Sequence, residues 1–109
     1  MPKGDWLGEF EMCVLLAVWH LADEAYGMRV RQEIEARTGR RVAIGAVYAT
    51  LARLEQESLL TARLDDPQPV PGGRARKCFR LTASGTRALN AATGMLKRMM
   101  AGWRSAPAR

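Results

Sequence analysis

The feature that most constrains how this chain folds is a change of hydrophobic period at Leu60. Up to Ser58 the apolar residues recur at steps of three and four. From Leu60 they alternate, with Leu60, Ala62 and Leu64 set against Thr61 and Arg63, as on a strand with one buried face. Asp65-Asp66-Pro67-Gln68-Pro69-Val70-Pro71-Gly72-Gly73 follows. Its prolines lack donors and its glycines favour turns, so no regular element runs through it. It reads as a hairpin tip, followed by a return strand from about Arg76 to Leu81 with Phe79 and Leu81 inward.

Helical periods occupy the rest. Glu9 to Leu21 is apolar almost all round, with Phe10, Val14, Ala17 and Leu21 on one face and Met12, Leu15, Leu16 and Trp19 on the other. One core does not easily cover both faces. After Asp23-Glu24, a second helix from Tyr26 to Thr38 turns Tyr26, Val30 and Ile34 inward, and Gly39 is placed to end it as a left-handed cap. Ile44, Val47, Leu51 and Leu54 mark a third helix, whose opposite face carries only Gly45, Ala49, Ala52 and Gln56, with Tyr48 and Arg53 at its flanks. Thr82 is a good N-cap for a last helix reaching about Trp103. Along it Leu89, Ala92, Leu96, Met99 and Trp103 fall at coiled-coil spacing. The predicted fold is mainly α with a small β-hairpin wing: a winged helix-turn-helix over residues 1–82, and a dimerisation helix and tail over 83–109.

The chain has 109 residues, 48% of them hydrophobic, which is enough for one core. Its formal charge is +6, a balance that suits a polyanionic partner. Sixteen of the 17 Lys and Arg follow Glu24, and no acid lies between Pro67 and Arg109. That segregation suggests one basic working face. Cys13, Cys78 and His20 lie at no metal-ligand or acid–base spacing, so neither a metal, a cofactor nor an enzyme activity is expected. The start of the chain lacks the apolar stretch of a leader, and Met12 to Leu21 is too short to cross a bilayer, which places the protein in the cytoplasm by default.

In this order and spacing, several short pieces resemble the PadR family of transcriptional regulators, in its short branch with a single C-terminal dimerisation helix. They are Leu7-Gly8-Glu9-Phe10-Glu11, Ala25-Tyr26-Gly27, Gly45-Ala46-Val47-Tyr48 with Leu51 and Leu54, Gly72-Gly73-Arg74, and Arg80-Leu81-Thr82 with Gly85. Ala43 stands where the family usually has Ser or Thr, so the third helix lacks a side-chain cap worth about 1 kcal/mol. Ser58 stands where the family has Gly, so a left-handed residue there would be strained by roughly 1 kcal/mol. Cys78-Phe79 replaces the usual pair of tyrosines.

The resemblance implies a sequence-specific, homodimeric repressor on an inverted-repeat operator in double-stranded DNA. Expected DNA contacts are Gly45, Tyr48, Ala49, Thr50 and Arg53 on the third helix, Tyr26, Arg40 and Arg41 around the second, and Arg74, Arg76 and Lys77 on the wing. For Tyr26 and Tyr48 the competing role is packing, and for the wing cations simple solvation. Met12, Leu15, Trp19, Leu89, Ala92, Leu96, Met99 and Trp103 are expected at the dimer interface. There Trp19 and Trp103 either fill space or line a cleft for a small hydrophobic or aromatic effector. The rival reading is a helical dimeric interaction module whose basic wing binds an acidic protein. A further one lays the last helix on a membrane surface through Lys97, Arg98 and Arg104 beside Met99 and Trp103.

Overall fold

A computed structural model describes residues 7–65 and 76–104. Helix α1 spans Glu9–Leu21 and runs into a short 3-10 turn at Ala22–Glu24. Helices α2 (Gly27–Thr38) and α3 (Ile44–Gln56), strands β1 (Leu60–Asp65) and β2 (Arg76–Leu81), and helix α4 (Ala83–Met100) follow. The strands pair antiparallel with Leu60 opposite Leu81 and Asp65 opposite Arg76. Of the hairpin tip expected at Asp65 to Gly73, Asp65 instead ends β1, paired with Arg76; the rest, with Arg74, lies outside the described residues.

Helix α1 is the hub of the packing, touching α2, α3, α4 and β2. Its Val14, Leu15, Ala17 and Val18 are buried, whereas Leu16 and Trp19 are exposed. This corrects the division of α1 into two faces. Leu15 belongs to the chain's own core and is closed to a partner, because α4 and β2 cover the side of α1 that α2 and α3 leave open. The stripe on α4 divides for the same reason. Leu89 and Ala92 are buried within the chain, so both are withdrawn from the interface. Leu96 and Met99 stand out in solvent, and the helix ends at Met100, short of the expected Trp103, which is exposed beyond a turn with Gly102 at φ 85°.

The alternation on the hairpin is also modified. Leu64 is 71% exposed, since β1 runs past the edge of the core toward the tip, while adjacent Cys78 and Phe79 are both buried. Both faces of β2 are covered at that point. Tyr26 bridges to Cys78 as a short third strand, the Phe79 amide donates to the Ala25 carbonyl at 3.0 Å, and the Cys78 thiol donates to the Asp23 carbonyl at 3.2 Å.

The ends of the elements follow the residues found there. Gly39 adopts φ 73° and ends α2. Ala43 precedes α3 without a side-chain cap, whereas the Thr82 hydroxyl accepts from the Gly85 amide at 2.9 Å. Ser58 does sit at φ 63°, the left-handed conformation that a side chain disfavours. Gly85 answers a different demand, because a Cβ there would lie 2.0 Å from the Leu59 carbonyl oxygen. The start of α4 is thereby seated directly on the α3–β1 turn.

Two substitutions test these points. Ser58→Gly should raise stability by about 1 kcal/mol, and Gly85→Ala should lower it by about 1–3 kcal/mol through overpacking against backbone. Urea denaturation measures both.

Candidate nucleic-acid interface

Four apolar side chains, Val47, Leu51, Leu54 and the partly covered Ile44, press α3 onto the core and so turn its other side outward. Gly45, Ala49 and Ala52 are exposed there, and nothing lies within 4 Å of the Cβ that Gly45 lacks. A flat, low surface of this kind admits another macromolecule close to the helix axis. Thr50 does not belong to it. It is 5% exposed and lies with Val47 and Leu51 on the inward side, so it is removed from the expected contacts.

Tyr48 stands at the flank of α3 nearest the start of α2. A Cβ on Gly27 would come within 2.2 Å of its ring, so Gly27 is the notch that receives the tyrosine. Half of the side chain remains exposed. The packing and contact roles of Tyr48 are therefore compatible: the ring seats on α2 while one edge faces outward.

Most expected cations have an acid beside them. Arg40 pairs with Glu9 at 2.6 Å, Arg53 with Glu11 at 3.1 Å and Lys77 with Glu55 at 2.8 Å. Glu11 also accepts from the Gly8 amide at 2.8 Å, which holds it in place at the start of α1. These acids are remote in sequence, which is why reading charge along the chain missed them. The segregation of charge is real in the sequence but is partly undone by folding. Each pair is about half exposed on the cation's side, where an ion pair is worth at most about 1 kcal/mol. An arriving phosphate can exchange for the carboxylate. Arg41 is exposed.

At the tip-side end of the strands the Tyr26 hydroxyl donates to an Asp65 carboxylate oxygen. The Arg63 guanidinium donates to the same carboxylate at 2.8 Å and to the Asp23 carbonyl at 3.2 Å. Arg76 lies over the Tyr26 ring, 4.1 Å from its centre, a cation–π contact. Tyr26 is thus at once the residue preceding α2, a strand partner of β2 and an anchor for the hairpin, whereas the sequence placed it inside the second helix as its first, inward-turned residue and showed neither link to the hairpin. Its hydroxyl is raised above the usual tyrosine range, chiefly by the hydrogen bond to Asp65. Asp65 is held below the usual carboxylate range by the hydrogen bonds from Tyr26 and Arg63.

On the far side, Leu16, Trp19, Leu81 and Leu89 border a groove of about 300 Å³ between α1 and α4. Trp103 does not line it, so a single chain does not bring the two expected tryptophans into one cleft. Among the described residues no group of acids, histidines and cysteines could hold a metal ion, and no helix is long and apolar enough to cross a membrane.

A compact set of helices carrying a helix-turn-helix and a two-stranded wing defines a winged-helix protein. The profile of the transcriptional regulator PadR-like family matches residues 15–91. The chain belongs to that family, which consists of transcriptional regulators and not of enzymes. Transcriptional regulator Rv3488 of Mycobacterium tuberculosis (strain ATCC 25618 / H37Rv) is 44% identical over 71 residues, which are 64% of this chain and 62% of that protein. The chain therefore spans less than two thirds of that relative's length. A PadR-like transcription factor from Bacteroides fragilis superposes with a TM-score of 0.68 at 26% identity, covering 83% of this chain and 82% of the other. A PadR family regulator from Eggerthella lenta DSM 2243 gives 0.66 at 26% identity, covering 86% and 81%.

The shifts at the Tyr26–Asp65 contact define a pH window. The lowered Asp65 contributes stability above the ordinary carboxylate range, lost only as pH falls through its folded value. The raised Tyr26 contributes below the ordinary tyrosine range, lost as pH rises through its folded value. The contact is therefore present throughout the neutral range. Absorbance titration of a Tyr48→Phe variant, in which Tyr26 is the one tyrosine left, should show it ionising above the usual tyrosine range, and adding Asp65→Asn should lower the transition. A transition that Asp65→Asn does not move would contradict the contact.

Proposed function

We propose that this chain is a homodimeric repressor that binds an inverted-repeat operator in double-stranded DNA, acting in the cytoplasm. The observation that carries the reading is the outer face of α3. Its small residues Gly45 and Ala49 are exposed, flanked by Tyr48 on one side and Arg53 on the other. Such a helix enters a major groove closely. Tyr48, Arg53, Arg40 and Arg41 lie within reach of phosphates or base edges, and Arg76, Lys77 and Arg74 meet the backbone beside the wing. Tyr26 is withdrawn as a direct contact, since its hydroxyl proton is given to Asp65. Few of these side chains read bases, so DNA shape supplies much of the preference.

The dimer is supported by what α4 and the turn after it leave in water. Leu96 is 45%, Met99 76% and Trp103 65% exposed, and burying each large side chain is worth about 1.5–3 kcal/mol. A second copy covering this stripe, together with Trp19, Leu16 and the half-buried Met12, would also place two reading heads one DNA turn apart. In this arrangement residues 1–82 read DNA and 83–109 join the copies, a division of role more than of packing, since Leu89 and Ala92 belong to the common core. A small hydrophobic or aromatic effector would enter the groove beside Trp19, with Trp103 completing the cleft across the interface.

Selection of bound fragments from genomic DNA tests the reading, with a palindrome as the expected product. Replacing Arg74, Arg76 and Lys77 by alanine should weaken binding to all sequences alike and flatten the dependence of affinity on salt. Truncation after Gly94 retains Leu89 and Ala92, so the domain should stay folded. Sedimentation should then report a monomer, and footprinting should show loss of cooperative protection at two half-sites. A truncated chain that still protects both half-sites would overturn the dimer.

A further inference from the structure

Asp65 is the only acid on the two strands, against Arg63, Arg76, Lys77 and Arg80. A carboxylate among the cations of the two strands lowers attraction to every duplex, so attraction to DNA alone gives no reason for it to be there. Its hydrogen bonds suggest another role. One oxygen accepts from Arg63 Nε at 2.8 Å, and the other accepts from the Tyr26 hydroxyl and, at 3.4 Å, from Arg63 Nη2. The same Nη2 reaches the Asp23 carbonyl at 3.2 Å, ahead of α2. Directly across the ladder from Asp65 is Arg76, whose guanidinium covers the Tyr26 ring. One carboxylate thus connects the turn before α2, the first residue ahead of α2, β1 and β2. It does so at the last described pair before the wing tip, where the backbone ladder gives way.

We infer that Asp65 is a specificity-determining residue, which sets the angle of the wing relative to α2 and α3 by holding Tyr26 and Arg63 together at the tip-side end of the strands. The inference deepens the proposed function and rests on it. A wing free to swing would find phosphates on any duplex, whereas a wing held at one angle makes its contacts at full strength only when α3 is seated in a matching groove. Holding the cations beforehand also reduces the ordering required on binding to the matched site. Asp65 accordingly weakens binding to all DNA through its charge and favours the operator through its geometry.

The contact is partly exposed, with Arg63 47% and Asp65 24% accessible, so its loss should leave global stability nearly unchanged. The test uses the full chain and compares affinities for the selected operator and for random-sequence DNA across a salt series. Two variants separate charge from geometry. Asp65→Asn removes the charge and half of the anchor. Arg63→Lys keeps the charge but loses the planar fork that reaches both Asp65 and Asp23. For Asp65→Asn, affinity for random DNA should rise by about threefold while the ratio of operator to random affinity falls by about fivefold. For Arg63→Lys, random affinity should stay within about twofold while the ratio falls in the same direction.

Hydrogen exchange at the amides of Arg76 and Cys78, which face β1 across the ladder, should quicken in both variants without a change in thermal midpoint. A ratio unchanged in both variants would overturn the inference and leave Asp65 as a simple repulsive charge. Wild-type protein that binds neither DNA would overturn the proposed function and this inference with it. Normal wild-type discrimination retained by both variants would overturn this inference alone.

Discussion

Burial of α1 over most of its circumference is the constraint on which the rest of the structure depends. A helix with apolar residues around most of its circumference has to be enclosed, and no single layer encloses it. The chain meets this demand by placing α2 and α3 against one side and β2 with the first half of α4 against the other. Val14, Leu15, Ala17 and Val18 are consequently inaccessible, and the remaining elements are fixed in relation to one another through α1. Only Leu16 and Trp19 escape, at the edge where α4 passes.

Once α1 is central, the outward faces follow. Helix α3 turns its larger apolar side chains toward the hub and its small ones away, which leaves a low surface at Gly45 and Ala49 without any further device. The two glycines of closest approach act at its ends. Gly27 receives the Tyr48 ring, setting α2 against α3, and Gly85 rests on the Leu59 carbonyl, setting α4 against the α3–β1 turn. Both are places where the chain requires contact shorter than a Cβ allows.

Electrostatics acts at a second level. The acids near the start of the chain fold back to Arg40 and Arg53, and Glu55 reaches Lys77. The outer surface is therefore a set of exchangeable pairs more than a bare cationic patch. Exposed pairs of this kind contribute little to stability. They hold long side chains in one place, which reduces the loss of freedom when a phosphate takes over the partner's position. The cluster of Tyr26, Arg63, Asp65 and Arg76 applies the same chemistry to the tip-side end of the strands.

The class of fold, the order of elements and the ends of most of them were legible in the residues themselves. Those properties depend on local physics: the change of period at Leu60, the Pro/Gly interruption, the left-handed glycine at Gly39 and the hydroxyl cap at Thr82. The strain at Ser58 was legible for the same reason, since φ preferences belong to the residue. What only the tertiary structure decided is which of two apolar faces a helix gives to its own core, and which acid meets which cation. Leu15 and Ala92 went inward because α4 and β2 cover α1, and Thr50 because α3 is rotated to seat Val47 and Leu51. Periodicity marks a side chain as needing burial, but it carries no information about whether the burying surface lies in the same chain or in another.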